Sequence, residues 1–288
     1  MSSEFAAAVA ARAHRATDSL HSLVYFCPEA QEQYTSIGLR PGSMPYFASR
    51  SAPMGAVSAG VTTATFYNFN PAMVARHIPR AWTLARPAEV LAARVRVADA
   101  ALRRLLGDAL DSPQVAELAG LTREATSALT PEGRTLYAAH ATLDWPDEPH
   151  LVLWHAATLL REYRGDGHLA ALLAAGLSGI EAIVTHVATG RGFTTESAKK
   201  LRGWSDDQWD AAVDGLASRG LMDGDQLTVA GLALRKDIES ATDRLDEAAW
   251  RHLGEERTAR LIELGKDLTR TVVANGAFPD DVFAAAGR

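Results

Sequence analysis

The chain has 288 residues, 47% of them hydrophobic and 22% charged, with a formal net charge of −6. That composition fits one large or two ordinary globular domains, and the acidic balance opposes a general nucleic-acid coat. The lone cysteine, Cys27, rules out an internal disulfide and a thiolate zinc cage, and no apolar run reaches the length of a membrane span.

The N-terminus carries Glu4 and an Ala-rich, Arg-punctuated stretch rather than a signal peptide, so the expected compartment is the cytoplasm, with no membrane partner. Nearly every segment then reads as helix. Asn70-Pro71, Ser112-Pro113 and Thr130-Pro131 each place a capping side chain before a first-turn proline. The predicted helices cover 4–26, 29–38, 54–68, 71–78, 87–107, 113–127, 131–144, 149–164 and 167–175. Gly165-Asp-Gly167-His168 is expected to turn the chain between the last two.

Beyond Gly176 the elements shorten to helices at 179–189, 195–202 and 206–219, followed by a wing at 221–229. Further helices are expected at 229–244, 246–253 and 255–275. Ser178 and Thr194 sit as caps, and Ser205 with Gln208 has the spacing of a capping box. Asp223-Gly224 supplies a tight turn between the wing strands. The fold class is therefore all-α: a multi-helix N-terminal domain (1–175) packed on a C-terminal winged helix-turn-helix with trailing helices (176–288).

The sequence Arg219-Gly-Leu221 before the wing and Leu227-Thr228-x-x-Gly231 after it resembles the MarR-type winged helix over about residues 177–244. Leu129-Thr130-x-x-Gly133 echoes the same spacing, either as a degenerate second helix-turn-helix at 113–144 or by chance. The whole chain is similar to a group of actinobacterial helix-turn-helix proteins. Ala64-Thr-Phe-Tyr-Asn-Phe69 and Leu159–His168 carry that similarity, which implies no reaction.

A groove-reading helix should be basic or neutral. Residues 177–227 instead hold five basic residues (Arg191, Lys199, Lys200, Arg202, Arg219) against eight acids, four of them aspartates in the presumed recognition helix. Asp210 and Asp214 lie four apart, past the first turn where acids favour a helix N-terminus. DNA is therefore a disfavoured partner, with Lys199, Lys200 and Arg202 as its candidate contacts, which dimerisation could gather with Arg191 into a stripe. A winged helix that serves only for dimerisation, in a homodimer, is a further alternative.

The helix 149–164 is apolar nearly all round, so its polar residues need partners. His155, Thr158 and Glu162 share one stripe. Together with Arg164, Asp166 and His168 they outline either a polar pocket or a network joining the two halves. Tyr46, Phe47, Phe66, Tyr67 and Phe69 outline either a ligand cavity or ordinary core, with Arg50, Tyr67 and Asn68 placed to orient a ligand.

The leading expectation is small-molecule binding through Arg50, Tyr67, Asn68, His155, Arg164 and His168, as in a ligand-responsive regulator or drug-sequestering protein. The rival is a cofactor-independent enzyme using His155, Glu162 and Asp166 for proton transfer. No metal is expected, because His21, His155 and His168 lack metal-ligand spacing, and no glycine pattern implies a nucleotide cofactor.

Overall fold

The computed structural model describes residues 3–279. Fifteen helices account for almost all of its regular structure, and the only β structure among the described residues is one two-stranded hairpin. In order they are α1 (Ser3–Ser22), α2 (Pro28–Ser36), α3 (Met44–Ser51), α4 (Ala59–Phe66), α5 (Pro71–His77), α6 (Pro87–Leu106), α7 (Pro113–Thr126) and α8 (Thr135–Ala141). There follow α9 (Pro149–Ala174), α10 (Gly179–Val187), α11 (Thr195–Arg202), α12 (Asp206–Ser218), β1 (Met222–Asp223) and β2 (Gln226–Leu227). The chain closes with α13 (Val229–Leu245), α14 (Glu247–Leu253) and α15 (Glu255–Ala274).

Two hydrophobic cores divide the molecule. The larger joins α1 to most elements through the first half of α9, with Phe47, Val90, Leu118 and Trp154 among its buried residues. The smaller gathers Leu172, Ile183, Ala198, Trp209, Leu216 and Ile238, which is the interior of the winged helix. The trailing helices α14 and α15, expected with the C-terminal domain, contribute Trp250, Leu261 and Val272 to the larger core and pack on α1 and α7. Gly265 permits that approach, because a Cβ there would sit 2.7 Å from the Ala16 carbonyl oxygen.

The winged helix is specified by its punctuation. Ser178 and Ser205 each form a reciprocal capping box, with Glu181 and Gln208, and Thr194 accepts from the Ser197 N–H. Gly203 closes α11 in the left-handed region. The wing pairs Met222 with Leu227 and Asp223 with Gln226, leaving Gly224-Asp225 as the turn. Thr228 caps α13 and donates to the Gly220 carbonyl at 2.7 Å, and a Cβ at Gly231 would overlap the Leu221 carbonyl oxygen. The Leu-Thr-x-x-Gly pattern thus locks helix to wing.

Elsewhere the structure corrects the sequence reading. The turn expected at Gly165–His168 does not form: α9 runs through it as one helix of 26 residues. Those glycines serve packing instead, since a Cβ at Gly167 would lie 2.6 Å from Arg134 Nη1 and 3.2 Å from Leu245 Cβ. Tertiary contact here overrides the low helix propensity of glycine. By contrast, α7 is continuous through Gly120, in keeping with the single helix expected over 113–127. Thr130-Pro131 opens a turn rather than a helix, and α3 occupies a stretch where no helix was expected.

Candidate functional site

The two cores meet along a seam made by residues 67–70. Tyr67 Oη donates to the Leu177 carbonyl, Trp204 Nε1 donates to the Asn68 carbonyl at 2.9 Å, and the Asn70 N–H donates to the Arg202 carbonyl at 2.8 Å. Asn70 caps α5 through the Ala72 N–H while its amide nitrogen reaches the Gly203 carbonyl and Gln208. Tyr67 takes a positive φ of 58° here, and a Cβ at Gly179 would overlap its carbonyl oxygen. Strain of this kind persists only where the surroundings enforce it.

Beside the seam lies a cavity of about 770 Å³, bounded by α1, α3, α9, α11 and α13. It shares Tyr46, Phe69, Arg161, His168 and Arg202 with a recess of about 240 Å³ that reaches Arg50, Tyr67, Asn68 and Asp166. Both volumes are polar and apolar in mixture, as small-molecule sites are.

The charges on this wall are unequally settled. Glu162, fully buried, accepts a bidentate pair from Arg50 at 2.9 and 2.8 Å and a third contact from Arg161 at 2.7 Å. Burial opposes its ionisation, but Arg161 and Arg50 hold the carboxyl well below its usual range. Arg164 is matched by Asp243 at 2.7 Å and Asp246 at 3.4 Å, and Glu239 is taken by Arg235.

Arg202 has no ionic partner among the described residues. Its guanidinium is stacked between Phe69 at 4.3 Å and Phe193 at 4.9 Å, and its Nε has no hydrogen-bond partner. Burial pulls it down to about 10, which leaves it charged at neutral pH. Close by, Tyr46 Oη accepts from Arg50 Nη1 at 3.2 Å. Burial raises this phenol, yet Arg50, Arg202 and Arg161 together bring it below the ordinary tyrosine range. Two guanidiniums share one carboxylate and a third has none, so this corner carries an excess of positive charge. Asp18 sits on the far wall with its side chain 39% exposed, where water screens it.

The residues singled out from the sequence fall in different places. Arg50, Tyr67, Asn68 and Asp166 border the smaller recess, Arg164 borders the larger cavity, and His168 borders both. His155 borders neither: it packs edge-on against Trp145 at 4.7 Å inside the helical body, and burial lowers it to about 4. Asp166 accepts from the Tyr137 N–H at 2.9 Å at the start of α8. His155, Glu162 and Asp166 are therefore separately engaged and do not converge on a reacting centre. Among the described residues no three His, Cys, Asp or Glu side chains form a group able to hold a metal ion.

On the outer face, Asp206, Asp207, Asp210 and Asp214 of α12 are exposed, as are Asp223 and Asp225 of the wing. Lys199 is tied to Asp206 at 2.8 Å, the exposed Arg219 to Glu181 at 2.9 Å, and Arg202 lines the cavity, leaving Lys200 and Arg191 as the exposed cations of this segment without an ion pair among the described residues. Tyr46 borders both volumes, as the cavity alternative expected, whereas Arg202 and His21 are the site residues that sequence reasoning considered only for other roles. The visible hint was aromatic residues close to an arginine (Phe193, Arg202, Trp204), a weak pattern without the third dimension.

A model of a helix-turn-helix family matches residues 10–279. The chain belongs to this helix-turn-helix family. The match covers the helical body as well as the winged helix, so both cores and the seam between them lie within the family unit. No curated protein and no solved structure gives a significant match. No single described helix is long and apolar enough to cross a membrane.

Proposed function

We propose that this helix-turn-helix protein binds a small organic anion with an aromatic or branched apolar body in the seam cavity, as a ligand-responsive regulator would. The observation that carries this reading is Arg202: a winged-helix cation set against two rings, facing a cavity and without an ionic partner among the described residues. A half-buried guanidinium between aromatic faces suits a planar carboxylate or phosphate, whose apolar part the Tyr46 and Phe69 rings would cover. The acidic outer face of α12 supports the same assignment, because it leaves the interior as the favourable place for negative charge.

Thermal unfolding in the presence of phenylacetate, mandelate, phenyl phosphate and their alkyl counterparts tests it. At least one should raise the midpoint saturably, by mass action, and Arg202→Ala should abolish the rise. Absence of any rise across the panel, or an undiminished rise in Arg202→Ala, refutes the reading.

A further inference from the structure

Two histidines on the cavity wall are held in the same manner. His21 Nδ1 lies 2.9 Å from Thr158 Oγ1, which in turn lies 2.9 Å from the Trp154 carbonyl oxygen one turn back on α9. His168 Nδ1 lies 2.8 Å from Thr242 Oγ1, which lies 2.8 Å from the Ile238 carbonyl oxygen on α13. A threonine hydroxyl has one hydrogen and a carbonyl oxygen can only accept. Each hydroxyl therefore donates to its carbonyl and accepts from the imidazole. Both rings are fixed with hydrogen on Nδ1 and a bare lone pair on Nε2.

Neither lone pair is used by the protein. His21 is fully buried and its Nε2 has no partner among the described residues; the bond of His168 runs through Nδ1 alone. Leaving the buried Nε2 of His21 unmatched costs on the order of 1–3 kcal/mol, whereas His168 is half-buried and borders the cavity. Burial keeps both imidazoles neutral, His21 well below its usual range and His168 at about 3, so neither offers a positive charge instead. Arg161 stands close enough to influence both rings and Arg202, which places acceptors and cations around one space.

We infer that the cavity selects a hydroxylated organic acid over a plain one, its acidic group meeting Arg202 and its hydroxyl donating to Nε2 of His168, while the enclosed His21 stays out of reach. This deepens, and rests on, the anion-binding reading given above.

The test has two arms. In the ligand-free protein, nitrogen-15 NMR of the histidine rings should find Nε2 of His168 unprotonated; a hydrogen on that atom overturns the inference with no ligand involved. By calorimetry, mandelate should bind about tenfold more tightly than phenylacetate, the worth of one added hydrogen bond. Thr242→Val, which keeps side-chain volume but releases the His168 tautomer, should lower that ratio, whereas Thr158→Val beside the enclosed His21 should leave it; an unchanged ratio in Thr242→Val overturns the inference. Equal affinity for the two acids in the wild type overturns it while leaving anion binding intact. Failure of both acids to bind removes the anion reading and this inference together.

Discussion

The inner and outer faces of the winged helix handle charge in opposite ways. Outside, the carboxylates of Asp210 and Asp214 stand in water, where solvent satisfies them at little cost. Inside, Arg202 is wedged between Phe69 and Phe193 with no carboxylate to answer it, although Arg50, Arg161 and Arg164 nearby all have one. An exposed charge says little about purpose, because surface pairs contribute only about 0–1 kcal/mol. A half-buried guanidinium with a buried, unpaired Nε and no ionic partner among the described residues is costlier to maintain, so it says more. The contrast teaches that the charge of this module is best weighed by what surrounds each group rather than by the net balance of the segment.

The hardest blow to the inner face is Glu162→Ala. It leaves Arg50 and Arg161 without their shared carboxylate in a buried setting, and urea unfolding should show a loss of about 3–5 kcal/mol. A loss below about 1 kcal/mol would mean that these arginines find water or other partners, and the inner face would be no drier than the outer. Gly179→Ala strikes the seam itself by forcing a methyl group against the Tyr67 carbonyl. A loss of about 1–3 kcal/mol is expected in the same assay; full stability would show that the seam yields freely.

Smaller still is a pH effect at Asp246, next to Arg164. Burial raises this carboxyl to about 7, above its value of 3.8 in the unfolded chain, despite Arg164 and the Trp250 N–H. The folded state therefore keeps a proton that the unfolded state has lost, and stability should decline as pH rises from about 4 to 7. Asp246→Asn should flatten the decline in a series of thermal midpoints. The least effect on stability, within about 0.5 kcal/mol, is expected from Asp210→Lys combined with Asp214→Lys on the exposed face. That variant should gain retention on a short DNA duplex that weakens with salt. Equal retention by the wild type at low salt would break the comparison from the outer side.

Much of this fold was readable because short polar residues announce helix starts locally. Ser178, Thr194, Ser205 and Thr228 each cap the helix expected of them, and Gly203 and Gly220 end theirs. The errors share a different origin. Gly165 and Gly167 carry the local chemistry of a turn, yet the role of Gly167 is set by Arg134 and Leu245, which approach from elsewhere in the chain. The site was legible only in part for the same reason. Arg50, Asn68 and His168 were marked by their neighbours in sequence, whereas the orientation of Arg202 is decided by Phe69, a residue on the other side of the seam. His21 gave no sign of its tautomer, because Thr158 is 137 positions away.

The continuity of α9 has a mechanical consequence. This helix begins in one core and ends in the other, and α13 packs against it and also passes between the two. Two rigid struts, each rising about 1.5 Å per residue, leave no loose hinge about which the small module could swing. A guest lodged between them would act as a shim, damping local opening rather than steering a rotation. Its arrival should register as slower amide exchange in α10 and α11, with the relative pose of the two bodies unchanged.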